Sequence, residues 1–358
     1  MAAAPTRIRE GSHVTAANAS RGGRPLALVL GIQRPTLSAD ELAFFREANP
    51  YGLFLGRRNM KDPDQLRALC AAFREAVGRP DAPVLTDQEG GRVSHLDSGA
   101  WPMFRSFRSF GRLAEKDMAA AKRAIRLSSV AMGRMMHEVG LNSACSPVLD
   151  LLMPGADLVI GERAFGGDPE LVAALGREVV DGFLEVGLMP VMKHIPGHGR
   201  ATEDSHKTRP VVTADAATLD ATDFLPFARL RDTPWAMVSH VVYSAFDADR
   251  PASVSPVITQ EVIRGRLGFE GVLISDCVFM NSLQGEVHDR VAQVLDGGCD
   301  IALHCHGELP EMQRAAARAR PLDDAAVARL EAAERRLGAA PADVTALHAE
   351  VEALLAAA

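Results

Sequence analysis

Short apolar runs recur along the chain. They fall at 25–32 (PLALVLGI), 51–56 (YGLFLG), 83–87 (PVLTD) and 143–150 (SACSPVLD), and again at 189–194 (MPVMKH), 235–240 (WAMVSH), 271–276 (GVLISD) and 300–305 (DIALHC). Each is almost continuously apolar, the pattern of a strand covered on both faces; half-solvated strands alternate instead. Between the runs the apolar period becomes helical. The segment 62–78 opens on Asp-Pro and closes near Gly. Within 115–140, Ala121, Ile125, Ser128, Met132, Met135 and Val139 step by four and three and mark one helix face. Asp168, Pro169 and Glu170 supply an N-cap, a first-turn proline and an acid favoured by the helix dipole. That helix is expected to run through Leu171, Leu175 and Val179 and to stop at Gly187. Further helices are expected over 258–267 and 286–297, and 99–112 (GAWPMFRSFRSFGR) reads as a long Phe-rich loop. Eight buried strands alternating with helices predict an α/β fold, a closed parallel (β/α)8 TIM barrel, in preference to an open doubly wound sheet. The expected layout is a polar arm at 1–24, a single catalytic barrel at 25–320, and Ala- and Glu-rich C-terminal helices at 321–358 packing on the barrel.

Polar residues collect at the C-terminal ends of these runs: Asp87, Asp150, Lys193 with His194, His240, Asp276, and His304 with His306. In a barrel those ends converge on one face, where active sites form. A charge at the end of a buried strand costs desolvation energy unless paired, so the clustering favours chemistry over chance. Taken singly, most have plain readings. Asp150 serves equally as a loop cap, His240 reads first as a hydrogen-bonded core histidine, and His304 with His306 as a solvated pair. Asp276, an acid just past a buried strand, favours a functional role.

The densest segment is 193–209, KHIPGHGRATEDSHKTR. Pro196, Gly197 and Gly199 break any helix, so His194 and His198 do not share a helical face as a zincin motif requires. Three histidines with nearby acids still permit a metal-dependent barrel hydrolase using His194, His198, His206 and an Asp. Lys193 permits a Schiff-base aldolase, and a polar loop without chemistry is the plainest alternative. In 204–206 the flanking side chains point the same way along an extended loop, so Asp204 can fix the imidazole tautomer of His206. A histidine so placed can give and take a proton near neutral pH. Asp276 across the mouth would be an ionised carboxylate suited to nucleophilic attack. Together they have the logic of double displacement.

Composition narrows the class. The chain has 358 residues, 47% apolar and 24% charged, with mean hydropathy +0.01, which excludes a disordered chain, a fibre and a polytopic membrane protein. A net charge of −7 offers nothing for nucleic acid or a membrane surface. Five cysteines without a CxxC pair fit a reducing, cytoplasmic compartment. Neither a signal-peptide run nor a membrane-spanning run is expected.

Lys193-His194-Ile195-Pro196-Gly197-His198-Gly199 followed by Asp204-Ser205-His206 resembles the β-N-acetylglucosaminidase branch of glycoside hydrolase family 3. Matching pieces occur in the family order: 87–93 (DQEGGRV), 147–150 (PVLD), 160–163 (IGER), 239–241 (SHV), 268–272 (GFEGV), Ser275-Asp276 with Met280, and 298–300 (GCD). The resemblance covers about 28–305. It implies a retaining exo-hydrolase of a single barrel that needs no metal and no cofactor. In bacterial cytoplasmic members the substrate is GlcNAc-1,6-anhydro-MurNAc, with or without peptide, and the role is cell-wall recycling. By motif, Asp276 resembles the nucleophile, His206 the general acid/base and Asp204 its partner. Asp87, Arg163, Lys193 and His194 resemble the residues that hold the sugar's hydroxyls and acetamido group. The partner implied is a small carbohydrate or muropeptide, with no nucleic acid and no membrane, and the default state is a monomer or loose dimer. Alternatives within reach are a GlcNAc-glycoside phosphorylase of the same branch and a sugar-binding protein with weakened catalysis. The glycines of the 193–209 segment predict a loop that opens and closes over the sugar. The chain departs from the family pattern in three places. Cys277 stands where a second Asp is usual, and is followed by Val278-Phe279 rather than Leu-Ser. His95 stands where many members carry a substrate-contacting Arg, which predicts a weaker, pH-dependent contact. The N-terminal arm is longer than the motif needs.

Overall fold

The computed structural model of the chain describes residues 23–97, 99–338 and 347–356. Nearly all of the expected N-terminal arm, residues 1–22, lies outside the described residues. Leu26–Gly31 (β1), Pro50–Phe54 (β2), Val84–Thr86 (β3), Ser143–Ala144 (β4), Met189–Ile195 (β5), Trp235–Val238 (β6), Val272–Cys277 (β7) and Ile301–His304 (β8) form one closed parallel barrel. Each falls in, or within one residue of, an apolar run. β1 closes the ring: Leu30 stands opposite Leu53 of β2 on one side and opposite His304 of β8 on the other. Val29, Leu30, Val84, Leu85, Val191, Leu273 and Ile274 have no exposed surface, which is why these strands show no alternation.

Two strands are irregular where the site is built. β4 is only two residues long because Pro147 lacks an N–H for the ladder. The run nevertheless continues beside β5: Lys193 N–H donates to Pro147 O at 2.9 Å and Leu149 N–H to Lys193 O at 2.7 Å, carrying Asp150 to the mouth. In β5 the register on β6 shifts between Lys193 and Ile195. Successive residues of a regular strand face opposite sides; this shift accompanies two neighbours, Lys193 and His194, that both line the mouth cavity.

Helices follow the strands as the sequence predicts. Pro63–Val77 is capped by the Asp62 carboxylate, which accepts from Gln65 N–H, and ends at the left-handed Gly78. Met118–Glu138 and Pro169–Glu185 pack on each other, the latter capped by Asp168. The expected helix over 258–267 is Ile258–Arg266, wound with π-type turns, and that over 286–297 is Val287–Asp296. The Phe-rich segment departs from its reading as a loop. Its end forms a helix, Phe107–Ala114, because Phe107, Phe110 and Leu113 bury one face and Phe107 stacks on Phe165 with ring centres 4.5 Å apart. At the C-terminal side, Asp324–Glu334 and Leu347–Ala356 are helices. The second lies on Met118–Glu138, fixed by the ion pairs Arg105–Glu352 and Arg123–Glu350, both at 2.5 Å. Among the described residues no helix is long and apolar enough to cross a membrane.

The contact between Met118–Glu138 and Pro169–Glu185 gives a test of the packing. Phe183 is buried against Gly133, where any added Cβ would meet Val186 at 2.6 Å and Phe183 at 3.3 Å. Phe183→Ala should cost about 3–5 kcal/mol in urea unfolding; a loss below about 1 kcal/mol would mean the two helices do not share this core.

Candidate active site

The C-terminal mouth of the barrel holds a cavity of about 340 Å3. At its base Lys193, only 2% exposed, reaches from β5 to two carboxylates, with Nζ 2.5 Å from Asp87 Oδ1 and 2.6 Å from Glu89 Oε1. Arg163 meets Glu89 in a forked pair, Nε to Oε2 at 2.8 Å and Nη2 to Oε1 at 2.9 Å. Two cations and two anions thus balance below the cavity. Burial would push both acids up, but Lys193 and Arg163 hold Asp87 and Glu89 below the usual carboxylate range. Burial likewise opposes the charge on Lys193, and Asp87 and Glu89 outweigh it, so the ammonium is held charged. Arg92 sets the loop that carries Arg163, its Nη2 donating to Leu158 O and Val159 O, both at 2.7 Å.

Asp150 organises the segment after β5. Its Oδ2 accepts from His194 Nδ1 at 2.6 Å, and its Oδ1 accepts the backbone N–H of His198 at 2.6 Å and of His194 at 3.3 Å. Against burial, His194 and these donors bring its pKa down to about 2. The His194 proton therefore sits on Nδ1, leaving Nε2 unpaired by Asp150. His198 is buried, with Nε2 3.0 Å from Ser205 Oγ and Nδ1 without a partner among the described residues. The two glycines of this segment serve close approach rather than motion. A Cβ at Gly199 would run into the Leu151 backbone, and at Gly197, with φ +140°, it would lie 2.9 Å from Asp223 O. The expected moving loop therefore does not begin at these glycines; the exposed stretch starts at Thr202.

Beyond it, His206 Nδ1 donates to Asp204 Oδ1 at 2.8 Å, and the same oxygen accepts His206 N–H at 2.9 Å. The imidazole faces the cavity edge and is 63% exposed. Against burial, hydrogen bonds from His206 hold Asp204 below its usual range. On the other wall Asp276 stands at the end of β7, its Oδ1 accepting Cys277 N–H at 2.7 Å. Burial pushes Asp276 up; His194, His240 and the Cys277 N–H outweigh it, so the carboxylate is ionised. His240 is a core histidine, as its plain reading expects. Nε2 donates to Cys277 O at 3.1 Å, Nδ1 lies 2.6 Å from Ser253 Oγ, and burial pushes the ring's pKa down although the Asp276 charge opposes it.

Asp87, Arg163, Lys193, His194, His206 and Asp276 all line this one cavity, with Asp204 behind His206. Three expectations need correction. His304 is fully buried, edge-on to Phe279 at 4.9 Å, rather than solvated; only His306 is open, stacked on Phe279 at 3.8 Å. His95 is not among the lining residues: it sits behind Asp87, with Nδ1 3.0 Å from Thr86 Oγ1 and its ring against Phe54. Asp150 is neither a simple loop cap nor a lining residue but the hub of two histidines. Glu89 and Arg92 support the cavity from outside its lining, Glu89 by pairing Lys193 and Arg163 and Arg92 by holding the loop that carries Arg163, and the motif 87–93 alone does not assign them these places. The signal was present, since Glu89 lies two residues from Asp87 in an extended segment and so shares its side. Among the described residues no group of three or more His, Cys, Asp or Glu is placed to hold a metal ion.

A parallel eight-stranded barrel with ionised acids, a buried lysine and an Asp-oriented histidine at its C-terminal mouth is the architecture of a barrel enzyme. The chain belongs to glycosyl hydrolase family 3: the profile of that family's N-terminal domain matches residues 36–339. A beta-hexosaminidase of Xylella fastidiosa (strain 9a5c) is 35% identical over 286 residues, covering 79% of this chain and 84% of that protein. Among solved structures, NagZ of Neisseria gonorrhoeae in complex with N-trifluoroacetyl-D-glucosamine superposes with TM-score 0.82 at 25% identity, covering 93% of this chain and 98% of that one. A family 3 beta-N-acetylglucosaminidase from Paenibacillus sp. str. FPU-7 gives TM-score 0.81 at 27% identity, covering 92% of this chain; the present chain spans 66% of that longer protein.

The buried histidines make stability depend on pH. Burial brings His198 and His304 down to about 4. An unfolded histidine takes up its proton near ~6.5, so between ~6.5 and ~4 the unfolded chain binds more protons and stability falls as pH drops. Urea unfolding at pH 7, 6 and 5 should show this decline, reaching a few kcal/mol per histidine by about pH 4. Burial also lowers His95 and His240, so His304→Leu should remove only part of the slope; an unchanged slope would remove His304 as a source.

Proposed function

We propose that the chain is a retaining exo-β-N-acetylglucosaminidase that removes terminal β-linked GlcNAc by double displacement. The observation that carries this reading is the placement of Asp276 and an Asp204-bound His206 on one cavity. In the first step Asp276 attacks the anomeric carbon as the protonated His206 gives its Nε2 proton to the departing glycosidic oxygen. Asp204 fixes the Nδ1–H side, so Nε2 is the atom that moves the proton. In the second step His206, now neutral, takes a proton from water, and the resulting nucleophile releases the sugar from Asp276 with net retention. A histidine thus takes the place of the second carboxylate of most retaining glycosidases. Asp87, Arg163, Lys193 and His194 hold the hydroxyls and acetamido group of the sugar on the prebalanced base of the cavity. The names of the relatives support an N-acetylated hexose as the substrate. We further assign GlcNAc-1,6-anhydro-MurNAc muropeptides as the natural substrate, cleaved in the cytoplasm during peptidoglycan recycling by a monomer or loose dimer. Free rather than paired cysteines agree with that compartment.

The test is hydrolysis of an aryl N-acetyl-β-glucosaminide beside the aryl β-glucoside, with and without phosphate. Release from the N-acetyl substrate alone, independent of phosphate, is expected; a phosphate-dependent rate would instead make the chain a phosphorylase. Asp276→Ala should lower kcat by at least about a thousandfold, and a wild-type rate would exclude it as nucleophile. His206→Ala should lower kcat/KM by about 100-fold or more for substrates with poor leaving groups while sparing kcat/KM for activated aryl groups, since that ratio reads only the first step. Equal losses on both would remove the acid role. The first-formed sugar should be the β-anomer by NMR, and an α-product would reject the covalent route.

A further inference from the structure

β7 and β8 are neighbours, and each delivers a cysteine to the mouth. Cys277 ends β7 opposite Leu303, and Cys305 follows β8 directly, two residues past Leu303. Cys305 N–H points at Cys277 Sγ, 3.4 Å away, so the two side chains meet at the end of the strand pair. Both line the cavity, whereas Cys70, Cys145 and Cys299 are buried in the core. The pair is thus the part of the chain's thiol content that a small molecule entering the cavity would meet.

We propose that Cys277 and Cys305 form an oxidative modification site, at which a peroxide joins them in a reversible disulfide that shuts the adjoining glycosidase site. The effect on activity rests on the proposed role of Asp276; the cross-link itself does not. The two sulfurs have different parts. The Cys305 thiol, with the N–H groups of Phe279 and Cys305, stabilises charge on Cys277 and holds its thiol below the usual range despite burial. Cys305, the donor in that pair, is pushed well up. Cys277 thiolate therefore attacks the peroxide: an S–O bond forms, the O–O bond breaks, and the departing oxygen takes up the proton released by the Cys277 thiol and leaves as an alcohol or, from hydrogen peroxide, as water. Cys305 then attacks the sulfenic sulfur, forming S–S and breaking S–O, with its proton leaving in a second water. Both thiols are oxidised and the peroxide is reduced by the same two electrons. A dithiol reductant reverses the reaction by exchange.

The disulfide reaches the chemistry through the Cys277 backbone. That residue's N–H holds Asp276 Oδ1 at 2.7 Å and its carbonyl holds His240 Nε2 at 3.1 Å. Bonded sulfurs sit about 2.05 Å apart, closer than any hydrogen-bonded pair, so forming the bond draws the two strand ends together. A nucleophile displaced by about 1 Å can lose on the order of a hundredfold in rate.

The experiment treats the reduced full-length protein with graded hydrogen peroxide, blocks remaining thiols with iodoacetamide, and maps the digested peptides by mass spectrometry. In parallel it follows the rate on aryl N-acetyl-β-glucosaminide before oxidation, after it, and after dithiothreitol. A Cys277–Cys305 peptide is expected to appear as the rate falls at least about tenfold, and both should reverse. Cys305→Ser and Cys305→Ala should yield no linked peptide, and each should keep its own starting rate at a peroxide dose that silences the parent. Independent alkylation of both cysteines after oxidation would overturn the site. Linkage with an unchanged rate would overturn its control of Asp276. A reduced protein inactive on the glycoside would count against the proposed function, and the linked peptide would still decide the modification.

Discussion

A lysine ammonium at the bottom of the barrel mouth is the constraint from which most of the site follows. Lys193 is 2% exposed, and an isolated ammonium so placed would lose several kcal/mol of hydration. Asp87 and Glu89 return that energy only while both are ionised and close. Glu89, 1% exposed, then needs its own second partner, which is Arg163. Arg163 stands on a loop that Arg92 holds by its carbonyls. One buried cation therefore ties β3, β5 and the loop after β4 into a single body. Losing any member leaves an uncompensated charge, and breaking such a pair costs about 3–5 kcal/mol. Binding to a base already ordered in this way costs little further reorganisation, which is what a site for a small polar ring needs.

Asp150 does for the upper part of the site what Lys193 does for the base. It is a buried carboxylate whose charge is stabilised by one ring N–H and two backbone N–H groups, so it fixes the path of the chain from His194 to His198. Gly199 then lets that path lie on the Leu151 backbone, and Tyr243 pins it by donating to Gly197 O at 2.6 Å. The tight half of the segment ends there, and the exposed half carries Asp204 and His206. The buried part holds His194 against Asp150, and the exposed part carries His206 at the cavity edge.

The barrel was legible because burial on both faces leaves an unmistakable record: strands such as Val191–Met192 and Leu273–Ile274 have no room for polar residues. The residues that line the mouth cavity were legible for the converse reason, since Lys193 and Asp276 break apolar runs at their ends. What escaped depends on distance in the fold rather than along the chain. His304 belongs to a strand and reads as polar, yet Phe279 from the neighbouring strand end covers it. His95 follows a motif that resembles a sugar-contacting one, yet a shorter ring in place of a long guanidinium packs back on Thr86 and Phe54 instead of reaching the cavity. Phe107–Ala114 is too short, and too broken by Arg, Ser and Gly, for its helical period to emerge without Phe165 to pack against.

The residue after Asp276 shows how one substitution can leave the chemistry in place while changing its surroundings. A second carboxylate at position 277 would sit in contact with Asp276, and two like charges in a buried mouth would push one of them toward the neutral form. A cysteine removes that repulsion, yet its backbone N–H still supports Asp276 Oδ1. The neighbouring Phe279 fills the wall beside it, stacking on His306 at 3.8 Å with planes 9° apart. That flat apolar surface and the thiol pair together make this side of the cavity softer and less charged than the Lys193 side. Fixed charge is thus concentrated at the base of the cavity, and the Asp276 wall offers shape, an ionised oxygen and polarizable sulfur.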